Sequence, residues 1–410
     1  MTGAEETSTL PFSRWWLVIA GAVAMGTGGV YQFAWSSIRG PLGAQIGAGE
    51  TALGTVFTVF VVFQTVSQFP AGWVRDRYGP RWPLAVGALL LAAGYLGTAS
   101  AAGAPLVYLA YAVGGMGAGI GYTVAMNTPV KWFDDHRGLA TGVVGMTYGG
   151  ASFLLIPAIR RGVTTQFEPT LLALAAGSGI AVAIAAIVLR DPPGMALRGD
   201  GAGGESGWSE ATSPDDHDRA YTWRETLRTW QFWLLYAVFV VVNGVGLMLI
   251  GKAVTYAQQF GLAAAVATAG ASAIAVSDAA GVLGGGWLSD RLGPIRTVAG
   301  SLVLCGLVLG GSVLAGSAGI GPAFVLLVGA AAFFRSPSFA VFPALVGTYY
   351  GEAHSSTNYA LLYSAKLWGG VFGGTIASGL VVSLGWAETF GLGAALLVAA
   401  GLATTLVRPV

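Results

Sequence analysis

Cysteine is almost missing from this chain. Cys305 is the one thiol in 410 residues, which excludes an internal disulfide and a cysteine-ligated metal site. Histidine is nearly as scarce: His136, His217 and His354 fall in expected loops with no metal-ligand spacing. Charge is sparse too, with 10% charged residues and a net charge of +1, against about 25% charged in soluble domains. That balance excludes a soluble enzyme and a disordered tail, and gives no electrostatic reason to expect a nucleic-acid partner. No Gly-Lys-Ser/Thr phosphate loop and no nucleophile elbow occur, so ATP-driven transport and hydrolysis are disfavoured and neither enzyme activity nor a cofactor is expected.

What is abundant is apolar. Hydrophobic residues make up 54% of the chain, and its 64 glycines lie inside long apolar runs without a three-residue period. Such glycines suit close approach of helices in a membrane. With about 20 apolar residues per crossing, twelve spans can be counted, at roughly 15–37, 52–73, 82–101, 106–129, 139–159, 170–189, 230–251, 262–287, 297–316, 322–347, 358–381 and 387–407. Unbroken runs exclude a β-barrel, whose strands are short and alternate. The run Trp15–Trp35 is longer than a signal-peptide core and lacks a small-residue cleavage site, so it reads as a retained first span.

The polar stretch Asp191 to Arg228, rich in Gly, Ser and Asp at its centre, reads as a flexible linker. It separates residues 1–190 and 229–410, two halves of six helices each. The halves repeat. Gly72-Trp73-Val74-Arg75-Asp76-Arg77-Tyr78-Gly79-Pro80 recurs as Gly286-Trp287-Leu288-Ser289-Asp290-Arg291-Leu292-Gly293-Pro294, an offset of 214 that also carries Arg14 onto Arg228 and Pro129 onto Pro343. Two parallel six-helix repeats are the pattern of a transporter with its site between the halves. If the N-terminus is cytoplasmic, fourteen Lys and Arg residues fall in inside segments and four (Arg39, Arg160, Arg161 and Lys252) outside. Both termini and the linker are therefore expected in the cytoplasm, with the chain multi-pass in the cell membrane.

The doubled Gly-x-x-x-Asp-Arg-x-Gly-Pro segment resembles the signature loop of the major facilitator superfamily. The segments Lys131–Gly142, Thr222–Trp233 and Asn358–Lys366 are similar to the oxalate/formate antiporter family and its monocarboxylate-porter relatives. The resemblance implies an all-α membrane protein of twelve transmembrane helices in two pseudo-symmetric six-helix bundles. It also implies a gate at the cytoplasmic end built from Gly72, Asp76, Arg77, Gly286, Asp290 and Arg291. At helix ends, Asp76 and Asp290 can pair with nearby Arg or with a helix N-terminus and so hold the bundles together in one state of the cycle.

Three ionisable residues fall inside apolar spans: Asp278, Arg335 and Lys366. Each costs about 2.5–3.5 kcal/mol at the centre of a membrane helix, so each calls for a cavity, a partner or a ligand. By resemblance, Lys366 matches the family lysine that engages the substrate carboxylate, with Tyr363 on nearly the same helix face. The family arginine of span eight is absent, its position being Val282, and Arg335 is the expected replacement. Asp278 either takes up a proton or forms a static ion pair with Lys366 or Arg335. Tyr31, Gln32, Tyr122 and Tyr148 match positions that line the family's cavity, Arg335 stands where that family usually has a pocket-facing aromatic, with the candidate Phe339 one turn further along, and Gln64 and Gln68 are further candidates. The expected function is secondary transport of a small organic anion, formate-like or lactate-like, with a proton as candidate co-substrate, by a functional monomer. Oxalate:formate-type exchange is the first alternative. A non-transporting sensor with a transporter fold is the alternative from another class.

Overall fold

The computed structural model describes residues 12–48, 50–133, 135–192 and 220–408, and among them the regular structure is helical, with no strand. In a bilayer the backbone has no water to bond, so each crossing satisfies its own amides as a helix. The first half consists of α1 (Trp15–Ile46), α2 (Glu50–Tyr78), α3 (Arg81–Ala99), α4 (Ala104–Trp132), α5 (Arg137–Thr165) and α6 (Phe167–Val188). The second begins with one turn, α7 (Trp223–Thr226), followed by α8 (Trp230–Gln259), α9 (Ala264–Leu292), α10 (Pro294–Ser317), α11 (Gly321–Arg335) and α12 (Pro337–Tyr350). It ends with α13 (Ser355–Tyr363), α14 (Ala365–Val371), a π-helical turn (Phe372–Ile376), α15 (Ala377–Leu384) and α16 (Trp386–Thr404).

The repeated Gly-Pro has a local task. Gly79 and Gly293 both adopt positive φ, ending α2 and α9, and the proline that follows opens the next helix, where its missing N–H is no loss.

Eleven continuous stretches among the described residues are long and apolar enough to cross a membrane. The one crossing outside these eleven, eleventh in chain order, is α13 through α15, and it is not the single helix expected over 358–381. It breaks at Ser364 and loosens to π geometry at Phe372–Ile376. Gly373 lies in that turn, where a Cβ would meet the backbone of Gly244 and Met248 on α8 at 2.6 and 2.8 Å, so the turn packs backbone to backbone on α8. The tenth crossing is likewise split. α11 stops at Arg335 and α12 restarts at Pro337, because proline supplies no amide to continue the ladder.

Residues 193–219 of the expected linker lie outside the described residues. Its last part departs from a purely flexible reading, since α7 carries a capping box between Thr222 and Glu225. Asn358 Nδ2 donates to the Tyr221 carbonyl at 2.9 Å, and Trp223 packs edge-on against Phe69 of α2 with centroids 5.7 Å apart. The linker's end is thus docked on both halves.

The halves meet along α5 with α9 and α2 with α13, and α12 also touches α4 and α5. We call the end of the bundle nearest residues 190 and 220 the linker end, and the opposite one the far end.

Candidate functional site

Halfway along the seam between the halves, α14 carries a buried lysine. Lys366 is 7% exposed and donates to Gln64 Oε1 across the seam at 3.1 Å and to Tyr363 Oη at 3.5 Å. Among the described residues no carboxylate lies within 4.0 Å of it. Burying an ammonium against neutral acceptors alone leaves several kcal/mol of desolvation uncompensated, so the position favours an incoming anion. The walls are aromatic and come from both halves. Tyr122 lies 4.6 Å from Tyr363 and 5.7 Å from Tyr148, ring centre to ring centre, and its hydroxyl faces that of Tyr359 at 3.4 Å. Beyond Tyr363, Phe239 of α8 stands 5.8 Å from that ring and 5.7 Å from Phe339.

Phe339 leads to the second charged group. The Arg335 guanidinium lies over the Phe339 ring at 5.0 Å and is ion-paired with Asp278 of α9, which also accepts from Ser336 Oγ. The break between α11 and α12 makes this possible by putting Arg335 and Ser336 together at a helix end. Gly246 on α8 lets the guanidinium lie close, since a Cβ there would meet its NH1 at 2.6 Å. Arg335 Nε is buried without a partner, whereas the Asp278 side chain is 35% exposed. The acid that the sequence left free to pair with either cation thus pairs with Arg335, and Lys366 stands alone.

At the linker end, each repeated aspartate reaches across to the other half and binds a helix N-terminus. Asp76 accepts from Thr357 N at 2.7 Å, Thr357 Oγ1 at 2.8 Å and Ser356 N at 3.4 Å, at the start of α13. Asp290 accepts from Gly138 N and Leu139 N, both at 2.7 Å, at the start of α5. Carboxylates suit these ends because four amides there lack helical partners and the helix dipole is positive. Gly72 and Gly286 let the backbones close up, since a Cβ on Gly72 would meet Ser356 O at 2.5 Å and one on Gly286 would overlap Gly138. The aspartates are not equally supported. Asp76 also receives Lys131 Nζ at 2.8 Å and stands 3.9 Å from Arg75, which is wholly buried and bound to Asp191 at 2.8 Å. A cavity of about 500 Å³ at this end, lined by Arg137, Trp287, Asp290 and Arg291 among others, belongs to this latch and not to the Lys366 cluster.

Lys366, Tyr363, Tyr122, Tyr148 and Gln32 come together, and Arg335, Asp278 and Phe339 form the adjoining group. Tyr31 does not join them. It is 1% exposed and packed against Tyr95, Tyr111 and Phe60 inside the first half, with its hydroxyl donating to the Ala110 carbonyl at 3.2 Å. A phenol next to a glutamine looks like a cavity wall in sequence. Adjacent helix residues, however, point about 100° apart, and only Gln32 faces the seam. Among the described residues neither Arg77 nor Arg291 pairs with a repeated aspartate; they lie over Trp73 and Trp287 of their own helices at 5.1 and 3.8 Å, and Arg291 only lines the cavity beside Asp290. Sequence reasoning counted Arg75 and Lys131 only among the inside charges and Asp191 only as the start of the linker, and Tyr359 carried no distinguishing signal. Arg75 could have been noticed by aligning the repeats, where its counterpart is Ser289.

The comparisons with known proteins agree with this fold. The family model described as Major Facilitator Superfamily matches residues 17–318 and 241–410. The chain is 31% identical over 390 residues to the oxalate:formate antiporter of Oxalobacter formigenes, covering 94% of this chain and 89% of that one. It is 26% identical to the MFS-type transporter YhjX of Escherichia coli (strain K12), over 85% of this chain and 84% of the relative. Among solved structures it resembles the transporter FucP in the outward conformation, with a TM-score of 0.74 at 12% identity over 96% of this chain and 99% of that one. It also resembles the proton:xylose symporter XylE, with a TM-score of 0.71 at 14% identity over 95% and 94% of the two chains. The identities to these two structures are low, and they speak for the fold alone.

Proposed function

The chain belongs to the Major Facilitator Superfamily, and from that premise we propose that it is a secondary transporter of small organic anions with its carboxylate site at Lys366. The observation that carries this reading is a buried ammonium at the seam of the two halves whose partners are an amide oxygen and a phenol. Charge counting favours a monocarboxylate. Asp278 and Arg335 neutralise each other, so the site presents one net positive charge, which one formate-like or lactate-like anion matches.

Alternating access supplies the mechanism. With the latches of Asp76 and Asp290 closed, access to Lys366 runs from the far end toward the middle of α5, where Gly149 and Gly150 have open space beside them. An anion entering from that side reaches Lys366 between Tyr122, Tyr148 and Tyr363. Releasing the two aspartates from the helix N-termini then opens the linker end. Lys and Arg placement supports a cytoplasmic linker end and cytoplasmic termini, and a seam within one chain supports a monomer as the working unit. In this reading a proton that accompanies the anion is carried on the partly exposed Asp278, which stays hydrogen-bonded to Arg335 and Ser336.

Proteoliposomes with imposed counterflow of radiolabelled formate, acetate, lactate and oxalate test the proposal. Saturable uptake of a monocarboxylate, lost in Lys366→Gln, is the expected result, and uptake unchanged by that substitution removes Lys366 from the site. Exchange of oxalate for formate is the second reading, favoured by the named function of the Oxalobacter relative. It requires Arg335 to leave Asp278 so that two cations face a dianion, and oxalate counterflow faster than monocarboxylate counterflow would establish it.

A further inference from the structure

Gln64 is wholly buried on α2, yet both ends of its amide are engaged, and they are engaged in a fixed sense. Lys366 carries only donors, so Gln64 must present its carbonyl oxygen to it, at 3.1 Å. The amide nitrogen then faces Tyr148 Oη at 2.6 Å and donates to it. Facing the donor end of Gln64, the Tyr148 hydroxyl directs its one hydrogen to the acceptor on its other side, Gln32 Oε1. One ammonium on α14 therefore orients a hydrogen-bond chain that runs through α2 and α5 to α1, from the second half into three helices of the first.

We propose that this chain is a reversible relay reporting whether Lys366 holds an anion, and that Gln64 is its positioning residue. The proposal rests on the carboxylate site at Lys366. An arriving carboxylate is the stronger acceptor and displaces the Gln64 oxygen from the ammonium. The amide turns over and donates its NH2 to the carboxylate, its oxygen accepts the Tyr148 hydrogen, and Tyr148 Oη accepts from the Gln32 NH2. Every member of the chain is a glutamine or a tyrosine, the types that can both donate and accept. The reversal thus needs only amide turns and a hydroxyl rotation, and moves no net charge between the halves. Hydrogen bonds in such chains strengthen one another, so Gln32, three members from the lysine, feels occupancy of the site.

The test uses the full-length transporter in proteoliposomes, with whichever of labelled formate, acetate, lactate or oxalate the wild type carries fastest. Gln32→Glu, assayed well above the carboxylate range of pH, can accept but not donate. It pins the Tyr148 hydrogen in the empty-site sense and should raise KM about tenfold, as expected for forfeiting one hydrogen bond to a charged ligand. Gln32→Met has similar length and no polar end, so it leaves Tyr148 free to turn and should raise KM much less. Gln64→Glu ties Lys366 to a resident carboxylate and should raise KM more than either. A merely structural role ranks the two Gln32 variants the other way, because the apolar one abandons the Tyr148 hydroxyl. Plain repulsion by the new carboxylate is told apart in a Tyr148→Phe background, where repulsion persists and the relay penalty of Gln32→Glu vanishes. Wild-type KM in Gln32→Glu, or damage by Gln32→Met equal to it, overturns the relay. Failure of the wild type to carry any of the four acids overturns the anion reading itself, and is told apart by the wild-type measurement alone.

Discussion

At the scale of single residues, the decisive distinction is between a charge that has a partner and one that does not. Lys366 and Arg335 are equally conspicuous in sequence, each an isolated cation in an apolar run. Only the side-chain geometry separates them, giving Arg335 the Asp278 carboxylate and Lys366 the Gln64 amide. Lys366→Gln should therefore leave the membrane-inserted fold intact and its thermal midpoint at or above that of wild type, because it removes an uncompensated buried charge, while abolishing saturable binding. Thermal unfolding in detergent beside uptake in vesicles checks both halves of that expectation. Asp278→Asn removes the carboxylate but leaves a hydrogen-bonding partner for Arg335. Its uptake should respond weakly to an imposed pH gradient, with exchange of substrate already on both sides preserved. Arg335→Gln strands an aspartate and should depress both. Equal pH-driven uptake in Asp278→Asn and wild type would sink the proton role.

Elements were more legible than side chains. Hydropathy alone places the crossings, because a bilayer demands long apolar helices and little else. The helices nonetheless run several residues beyond the apolar runs at many ends, as in α1 (Trp15–Ile46), since a helix does not stop where hydrophobicity does. The pairs Gly79-Pro80 and Gly293-Pro294 announced their turns. The interruption at Ser336 was signalled by Pro337, whereas the π turn at Phe372–Ile376 depends on packing against α8 that no local pattern encodes. Tyr31 was misplaced for a related reason, since a helix face cannot be assigned until its neighbours are known. Close packing also makes an element-scale prediction. Gly286→Val would drive an isopropyl group into the Gly138 backbone and should part α5 from α9. A cysteine at Ala340, whose carbonyl Thr141 covers at 2.9 Å, should then react with a water-soluble maleimide several-fold faster than in the Gly286 background. Unchanged labelling would mean that the contact does not hold the linker end shut.

For the molecule as a whole, the repeat offset of 214 residues foretold two parallel halves, and each repeated aspartate binds a helix start in the opposite half. The duplication did not foretell the inequality of the two latches, because Lys131 and Arg75 have Leu345 and Ser289 as their counterparts. Charge placement also predicts sidedness, which labelling can check cleanly because Cys305 is buried. In intact cells an impermeant maleimide should modify Gln45→Cys, exposed at the far end of α1, and spare Asp135→Cys, exposed at the linker end. The reverse pattern would invert the proposed topology.

The broken eleventh crossing has an optical consequence. Lys366 rides on α14, seven residues bounded by the Ser364 break and the π turn, so this piece can pivot where an unbroken helix could not. Two residues along it, about 200° around the axis, Trp368 projects outward with 60% of its surface exposed. The indole is a pointer at the other end of a short lever, and any tilt of the ammonium toward a bound carboxylate swings it through its surroundings. We expect substrate to change the tryptophan emission of the purified transporter, and Trp368→Phe to abolish most of that change while leaving uptake intact. Persistence of the full signal without Trp368 would mean that the segment stays rigid as the site fills.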